Sequence, residues 1–221
     1  MREAGGRSFP RLYPILDAEL VLRDVADDRT RREACLRRVV AELADAGVEI
    51  LQYRNKQEAD ETVASDARVI RESAGTAMRL ILNDRAALVK SVGWDGVHVG
   101  QEDLPAREAR KLVGPAASVG LSTHNETQLR AANLEPVDYI AIGPVFATGS
   151  KANPDPVIGL EGVRRARALT EKPLVAIGGI TAETAAAVVD AGADCVAVIA
   201  AIFAPGLSAG QAARDFLAIF K

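Results

Sequence analysis

Three polar side chains at alternating positions end one of the apolar runs of this sequence, in the segment Gln52-Tyr53-Arg54-Asn55-Lys56. Alternate residues of a strand point to the same side, so we expect Gln52, Arg54 and Lys56 to share one face. Two cations on an inward face are costly to bury unless an anion meets them. A diphosphate fits this pair, since arginine offers a planar fork and lysine a point charge. A solvated strand end, whose charges have no common ligand, is the alternative interpretation.

Amide and carboxylate side chains follow the next two apolar runs. Asn83 and Asp84 come directly after one run, and Glu102 and Asp103 follow the other. Asn83 can donate a hydrogen bond to a phosphate oxygen, and carboxylate oxygens are ligands that a hard cation such as Mg²⁺ prefers. Asp84 and Asp103 are therefore candidate ligands of one metal ion, with Glu102 as the less favoured alternative to Asp103. Helix capping is the competing interpretation of Asn83, Asp84 and Asp103.

A serine and the two histidines of the sequence lie in or after the strand-like runs. Ser122 ends one of these runs and can hydrogen-bond a polar substituent on a substrate ring. His98 lies inside an apolar run, which favours a structural role over a catalytic one. His124 has no cysteine, aspartate or serine at a spacing typical of a catalytic triad, so we interpret it as local structure. It stays a candidate for acid–base chemistry.

Segments after the last three apolar runs have the composition of a phosphate site. The first carries Thr148, Ser150 and Lys151, whose hydroxyl and ammonium groups suit a phosphate. The second contains Gly178-Gly179, whose backbone N–H groups can approach an anion closely, and the third begins at Ile199-Ala200. Loops after the seventh and eighth strands of a barrel commonly form a phosphate site with a short helix. A polar loop and a plain tight turn are the alternatives.

The elements that must position these side chains are short apolar runs alternating with longer amphipathic segments. The predicted strands are Leu12–Leu16, Val48–Tyr53, Arg79–Leu82, Gly96–Val99, Ala117–Leu121, Asp138–Ile142, Pro173–Ile177 and Asp194–Ile199. The predicted helices cover residues 30–46, 57–74, 84–91, 104–112, 124–133, 160–169, 181–190 and 208–220. This alternation predicts a parallel sheet covered by helices, and eight units favour a closed (β/α)₈ TIM barrel over an open sheet. Such barrels carry their functional groups at the carboxyl ends of the strands.

Composition limits the classes of protein to which the chain can belong. With 27 basic and 30 acidic residues the net charge is -3, which gives no reason to expect a nucleic-acid partner. No apolar run approaches the roughly 20 residues of a membrane span, and the first ten residues lack the pattern of a signal peptide. Two cysteines far apart do not make a disulfide scaffold. We expect a flexible segment over residues 1–10, one barrel domain over residues 11–221 and a cytoplasmic location; the oligomeric state stays open, a homodimer included.

In order and spacing these segments resemble the thiamine-phosphate synthase family. The resemblance is carried by Gln52–Lys56, Asn83-Asp84, Gly96–Asp103, Gly120–His124, Gly143–Lys151 and Ala176–Ile180, with Leu12–Asp17 in support. It implies an alkyl-group transferase that joins 4-amino-2-methyl-5-hydroxymethylpyrimidine diphosphate to 4-methyl-5-(2-phosphoethyl)thiazole, or its carboxylate. The products are thiamine phosphate and pyrophosphate, and the implied reaction is a dissociative substitution assisted by Mg²⁺.

The resemblance also implies a role for each residue that matches a motif. The residues that would hold the diphosphate and act in catalysis are Arg54, Lys56, Asn83 and Lys151. Those that would bind Mg²⁺ are Asp84 and Asp103, and those that would contact the pyrimidine are Gln52 and Ser122. The thiazole phosphate would be bound by Thr148, Ser150, Gly178, Gly179, Ile199 and Ala200.

Three positions depart from the family pattern. Ser150 stands where threonine is usual, Ala200 where serine is common, and Ala147 where proline is common. The change at Ala200 lowers the expected phosphate affinity only if the contact uses a hydroxyl group rather than a backbone N–H. The alternative function is a thiazole tautomerase of the same barrel superfamily, with His124 as its acid–base residue. That enzyme has no need of the diphosphate and metal residues, and their joint presence favours the synthase.

Overall fold

Eight parallel strands form a closed barrel in the computed structural model, which describes residues 9–147, 155–203 and 208–220. The strands are β1 (Leu12–Asp17), β2 (Ile50–Arg54), β3 (Arg79–Asn83), β4 (Gly96–Val99), β5 (Ser118–Thr123), β6 (Tyr139–Ile142), β7 (Leu174–Ile177) and β8 (Cys195–Val198). Each strand pairs with the next along the chain, and β1 pairs with β8. The predicted (β/α)₈ barrel is confirmed, and each strand begins and ends within two residues of its predicted bounds.

Helices cover the outer face of the barrel. They are α1 (Ala18–Val21), α2 (Arg29–Asp45), α3 (Asp60–Ala74), α4 (Ala106–Val113), α5 (Glu126–Asn133), α6 (Gly159–Leu169), α7 (Ala182–Asp190) and α8 (Ala209–Ile219). The short helix α1 was not predicted. Asp17 caps its amino-terminal end, since the Asp17 carboxylate accepts a hydrogen bond from the Leu20 N–H at 3.2 Å. The apolar stripe of α2 is buried, and its members are Leu36, Val39, Val40 and Leu43.

The connection after β3 is not the helix that we predicted over residues 84–91. Only a short 3₁₀ helix forms there, at Ala86–Leu88. Asp84 has a left-handed backbone conformation with φ of 61°, and the Arg85 N–H donates to the Asn83 carbonyl group at 2.7 Å. A left-handed residue interrupts a right-handed helix, so the chain turns sharply and Asp84 stays at the rim of the barrel.

The barrel interior is filled by a layer of side chains distinct from the core that faces the helices. These inward residues are Tyr13, Ile15, Ile50, Ile81, Tyr139, Ala141, Val175, Cys195 and Ala197. Phe9 covers the amino-terminal end, since its ring centroid lies 5.1 Å from that of Tyr139 and the Arg79 guanidinium lies 5.4 Å from its ring. Phe9 and the buried Pro10 therefore pack on the barrel, although we expected them in the flexible segment.

Within the described ranges, no helix is both long enough and apolar enough to cross a membrane. The two cysteines are free thiols, with Cys35 half-buried and Cys195 buried inside the barrel. Burial raises the pKa of the Cys195 thiol, so this side chain behaves as a small apolar residue at neutral pH.

Candidate active site

A cavity of about 570 Å³ lies at the carboxyl ends of the strands. Seven of the residues predicted to bind the pyrimidine diphosphate or Mg²⁺ line it, and they come from β2 to β5 and the loops that follow these strands. They are Gln52, Arg54, Lys56, Asn83, Asp84, Asp103 and Ser122. Closure of the barrel therefore gathers these residues around one space, whose volume suits a small-molecule substrate.

β2 directs its charged residues to the cavity because the residues between them are fixed on the helix side. Tyr53 is fully buried, and its hydroxyl group donates a short hydrogen bond to Asp66 of α3. Asn55 is also buried, and its Nδ2 donates to the Tyr53 hydroxyl oxygen at 3.1 Å. Since alternate residues of an extended chain face opposite sides, Arg54 and Lys56 are turned toward the cavity.

Ion pairs hold this strand end in place from both sides. Arg32 of α2 donates to Asp66 through Nε at 2.9 Å and Nη2 at 2.6 Å, and the two side chains are only 7% and 4% exposed. On the cavity side, Arg54 forms an ion pair with Asp17 at the end of β1. A guanidinium group has five N–H donors, so Arg54 can be oriented by Asp17 and still offer donors to an anion.

Asp84 and Asp103 lie together around the ammonium group of Lys56. Lys56 Nζ is 3.1 Å from Asp84 Oδ2 and 4.0 Å from Asp103 Oδ1, and the Gly100 N–H donates to Asp103 Oδ2 at 2.8 Å. Burial, together with the neighbouring Asp103, raises the pKa of Asp84. Burial acts upward on Asp103 as well, but hydrogen bonds from Asp84 and the Gly100 amide outweigh it and lower the pKa of Asp103. The two carboxyl groups therefore titrate as one coupled pair.

The carboxylate pair fits a magnesium ion that takes its other ligands from a phosphate group and water. Within the described part of the chain, no cluster of three or more histidine, cysteine or acidic side chains could hold a metal. Mg²⁺ is commonly bound by one or two carboxylates together with substrate phosphate oxygens. Beside the pair, the buried Nδ2 of Asn83 has no hydrogen-bond partner among the described residues. A buried donor of this kind at a cavity wall suits a phosphate oxygen.

A chain of hydrogen bonds crosses the barrel interior and links Gln52 to Ser122. Gln52 Nε2 donates to the Tyr13 hydroxyl oxygen at 3.1 Å, and the hydroxyl oxygens of Tyr13 and Tyr139 are 2.9 Å apart. His98 Nδ1 lies 3.0 Å from the Tyr139 hydroxyl oxygen, and His98 Nε2 lies 2.8 Å from Ser122 Oγ. Burial lowers the pKa of His98 to about 4, so the imidazole is neutral at pH 7.

The described residues include only part of the predicted thiazole-phosphate site. Thr148, Ser150 and Lys151 lie outside them. Ile199 lines the cavity, whereas Gly178, Gly179 and Ala200 are not among its lining residues. The segment after β8 forms hydrogen-bonded turns, in which the Phe203 N–H donates to the Ala200 carbonyl group at 3.1 Å.

The paired glycines after β7 are required by a close approach of the backbone. Gly178 and Gly179 have φ values of 103° and 64°, which favour glycine. A Cβ on Gly178 would lie 2.5 Å from Pro144 Cβ, and one on Gly179 would lie 2.4 Å from the Ala147 carbonyl oxygen. The loops after β6 and β7 therefore pack against each other at the carboxyl end of the barrel.

His124 is held at the cavity rim by the loop after β6. Its Nδ1 lies 2.8 Å from the Gly143 carbonyl oxygen and 3.4 Å from Asp155 Oδ2, and its backbone N–H donates to Gln128 Oε1 at 2.7 Å. A carbonyl oxygen this close fixes a proton on Nδ1. His124 is therefore oriented by its own surroundings, in agreement with its interpretation as local structure.

Three residues that shape the cavity were not identified from the sequence. Asp17 orients Arg54, and Tyr13 and Tyr139 join the two sides of the barrel. The available signal was strand alternation, because Tyr13 shares an inward face with Ile15. That pattern does not reveal which inward residues meet across the barrel.

Comparisons with known proteins agree with this geometry. A family model described as thiamine monophosphate synthase matches residues 22–202. A thiamine-phosphate synthase of Koribacter versatilis is 49% identical over 216 residues, covering 98% of each chain. One of Azorhizobium caulinodans is 40% identical over 205 residues, covering 92% of this chain and 96% of the relative. A solved thiamine phosphate pyrophosphorylase of Pyrococcus furiosus superposes with a TM-score of 0.79 at 27% identity, covering 95% and 94% of the two chains.

Proposed function

This chain belongs to the thiamine monophosphate synthase family, and we propose that it condenses an aminopyrimidine diphosphate with a thiazole phosphate. The observation that carries the proposal is the convergence of two cationic side chains and a buried amide, all suited to a diphosphate, with a carboxylate pair in one cavity. The three side chains are Arg54, Lys56 and Asn83, and the pair is Asp84 with Asp103. The chain is then an alkyl-group transferase that acts on small molecules.

The main task of the site is to stabilise negative charge on the departing pyrophosphate. Arg54 donates to the diphosphate in an orientation set by Asp17, Lys56 supplies a second positive charge, and Asn83 supplies a buried amide donor. Asp84 and Asp103 would hold Mg²⁺, which would supply further positive charge at the leaving group. Lys151 belongs to the same set in this proposal, by the family resemblance of its motif.

The carbon–oxygen bond between the pyrimidine methylene group and the diphosphate breaks first in this reaction. The electron-rich aminopyrimidine carries the resulting positive charge, and the thiazole nitrogen then forms the new bond to the methylene carbon. Gln52 and Ser122 hold the ring so that this carbon faces the thiazole. No side chain needs to act as a nucleophile, and the barrel wall keeps water away from the cationic carbon.

The thiazole phosphate occupies the side of the cavity formed by the loops after β6, β7 and β8. The residues that we propose to bind it are Thr148, Ser150, Gly178, Gly179, Ile199 and Ala200. Packing of Pro144 and Ala147, in the described part of the loop after β6, against Gly178 and Gly179 supports this assignment. We also propose that the protein is cytoplasmic and that it binds neither nucleic acid nor a membrane.

Carboxamide variants of the metal ligands test the site. We expect Asp84→Asn and Asp103→Asn each to lower kcat by about 100-fold and to raise the Mg²⁺ concentration needed for half-maximal activity. Glu102→Gln is the matched control, because it removes a carboxylate from the same cavity wall, and we expect both quantities to stay unchanged. A shifted Mg²⁺ requirement in Glu102→Gln, with none in Asp103→Asn, would transfer the ligand role to Glu102. Unchanged Mg²⁺ requirements in both aspartate variants would refute the site.

A further inference from the structure

The hydrogen-bonded chain from Gln52 to Ser122 has a direction, because each of its members has a limited supply of protons. A tyrosine hydroxyl group carries one proton, and a neutral imidazole carries one proton on its two nitrogens. Tyr13 and Tyr139 are fully buried, so a hydroxyl proton without an acceptor there would be costly. The arrangement of protons along the chain is therefore determined by its ends.

The Gln52 amide sets the direction. Its Nε2 is a donor, so the Tyr13 oxygen accepts from Gln52, and the Tyr13 proton is donated to Tyr139. The Tyr139 proton is then donated to His98 Nδ1. The single ring proton of His98 must be on Nε2, where it is donated to Ser122 Oγ. In this direction every proton of the buried chain has an acceptor.

One end of the hydrogen-bonded chain offers a donor to the cavity, and the other end offers an acceptor. Ser122 Oγ already accepts from His98, so its own proton is available for a ligand. Gln52 uses one of its two Nε2 protons on Tyr13, and its carbonyl oxygen is an acceptor that it can offer. Both residues line the cavity.

We propose that His98 is a positioning residue: the two tyrosines hold it as the Nε2–H tautomer, and it makes Ser122 a hydrogen-bond donor toward the substrate ring, while the carbonyl oxygen of Gln52 is the acceptor. The identity of that ring rests on the proposed function. An aminopyrimidine matches this polarity, because its amino group donates while the adjacent ring nitrogen accepts. In the oxo analogue, a carbonyl group accepts while the adjacent ring N–H donates, so both contacts are reversed. The hydrogen-bonded chain from Gln52 to Ser122, which we call the relay, therefore selects the amino ring against its oxo analogue.

The tautomer of His98 can be read without turnover by ¹⁵N NMR of the ligand-free protein. The sequence has only two histidines, so a His124→Gln variant assigns the signals. We expect a protonated Nε2 and an unprotonated Nδ1 for His98 at pH 7. A protonated Nδ1, or an imidazolium ring, would overturn the proposed direction.

Binding of the two rings tests the selectivity. The aminopyrimidine monophosphate and its oxo analogue have a poor leaving group, so calorimetry measures binding without reaction. We expect the wild type to bind the amino compound about 100-fold more tightly, and Tyr139→Phe to reduce that ratio about tenfold. Thr170→Val is the matched control, since it also removes one buried hydroxyl group, which donates to Asn133 away from the cavity, and its ratio should equal that of the wild type.

The outcomes separate the relay from the proposed function. In Tyr139→Phe, His98 should also show a mixture of both tautomers, which loss of packing alone would not produce. If Tyr139→Phe does not fold, Tyr13→Phe takes its place. Equal ratios in Tyr139→Phe and the wild type would overturn the selective role of the relay. If neither ring compound binds to the wild type, the proposed function fails, and the NMR result still decides the direction of the relay.

Discussion

Replacing Asp66 by asparagine should destabilise the protein far more than an equivalent change at its surface. Asp66→Asn keeps the shape of the side chain but leaves the Arg32 guanidinium, 7% exposed, without its main counter-charge. Removing one partner of a buried ion pair typically costs about 3–5 kcal/mol. For a chain of this length each kcal/mol lowers Tm by about 2–4 °C, so Tm should fall by about 6–20 °C.

The same two helices provide the control for this experiment. Arg37 of α2 and Glu72 of α3 form an exposed ion pair at 2.9 Å, with side chains 48% and 60% exposed. Glu72→Gln should cost less than about 1 kcal/mol. Urea unfolding of both variants gives the comparison. Equal losses of unfolding free energy would show that burial of the Arg32–Asp66 pair does not have the importance that we assign to it.

Two further predictions concern the barrel interior. Because the pKa of His98 is about 4 in the folded protein and the ordinary histidine pKa is 6.5, the unfolded chain binds more protons between these values. The free energy of unfolding should therefore fall by up to about 3 kcal/mol as the pH drops from 6.5 to 4, relative to that of His98→Gln. Urea unfolding of both proteins at several pH values measures this difference. If the free energies of the two proteins change in parallel with pH, the buried neutral imidazole is contradicted. Gly120→Ala places a Cβ 2.1 Å from Tyr139 Cζ and should cost about 3 kcal/mol or more, measured by the same method. Gly47→Ala is the control, because nothing lies within 4 Å of the added Cβ. It should be destabilised by only about 1 kcal/mol, the cost of a left-handed backbone conformation. Equal destabilisation of the two variants would contradict the clash at Gly120.

Strand positions could be predicted because buried parallel strands leave short apolar runs between polar segments. The same alternation placed Gln52, Arg54 and Lys56 on one face, and all three line the cavity. The metal-site prediction followed from residue type and position after a strand. These features are local, so a single sequence carries them.

Contacts between distant residues could not be predicted in this way. Tyr13 and Tyr139 are 126 positions apart, and no local pattern indicates that their hydroxyl groups meet. The incorrect helix over residues 84–91 has a related cause. The segment was assigned to a helix because it lies between two strands, but the Asp84 N–H donates to the His98 carbonyl group of β4 at 2.8 Å, and this contact accompanies the sharp turn.

The most direct test of the proposed function is product formation by the purified protein. The aminopyrimidine diphosphate and the thiazole phosphate are supplied together, either with Mg²⁺ or with excess chelator, and thiamine phosphate and pyrophosphate are quantified. We predict equal amounts of both products with Mg²⁺ and neither with chelator. A folded sample that forms no thiamine phosphate under either condition would contradict the synthase function, and His124 would then be tested for tautomerisation of the thiazole carboxylate.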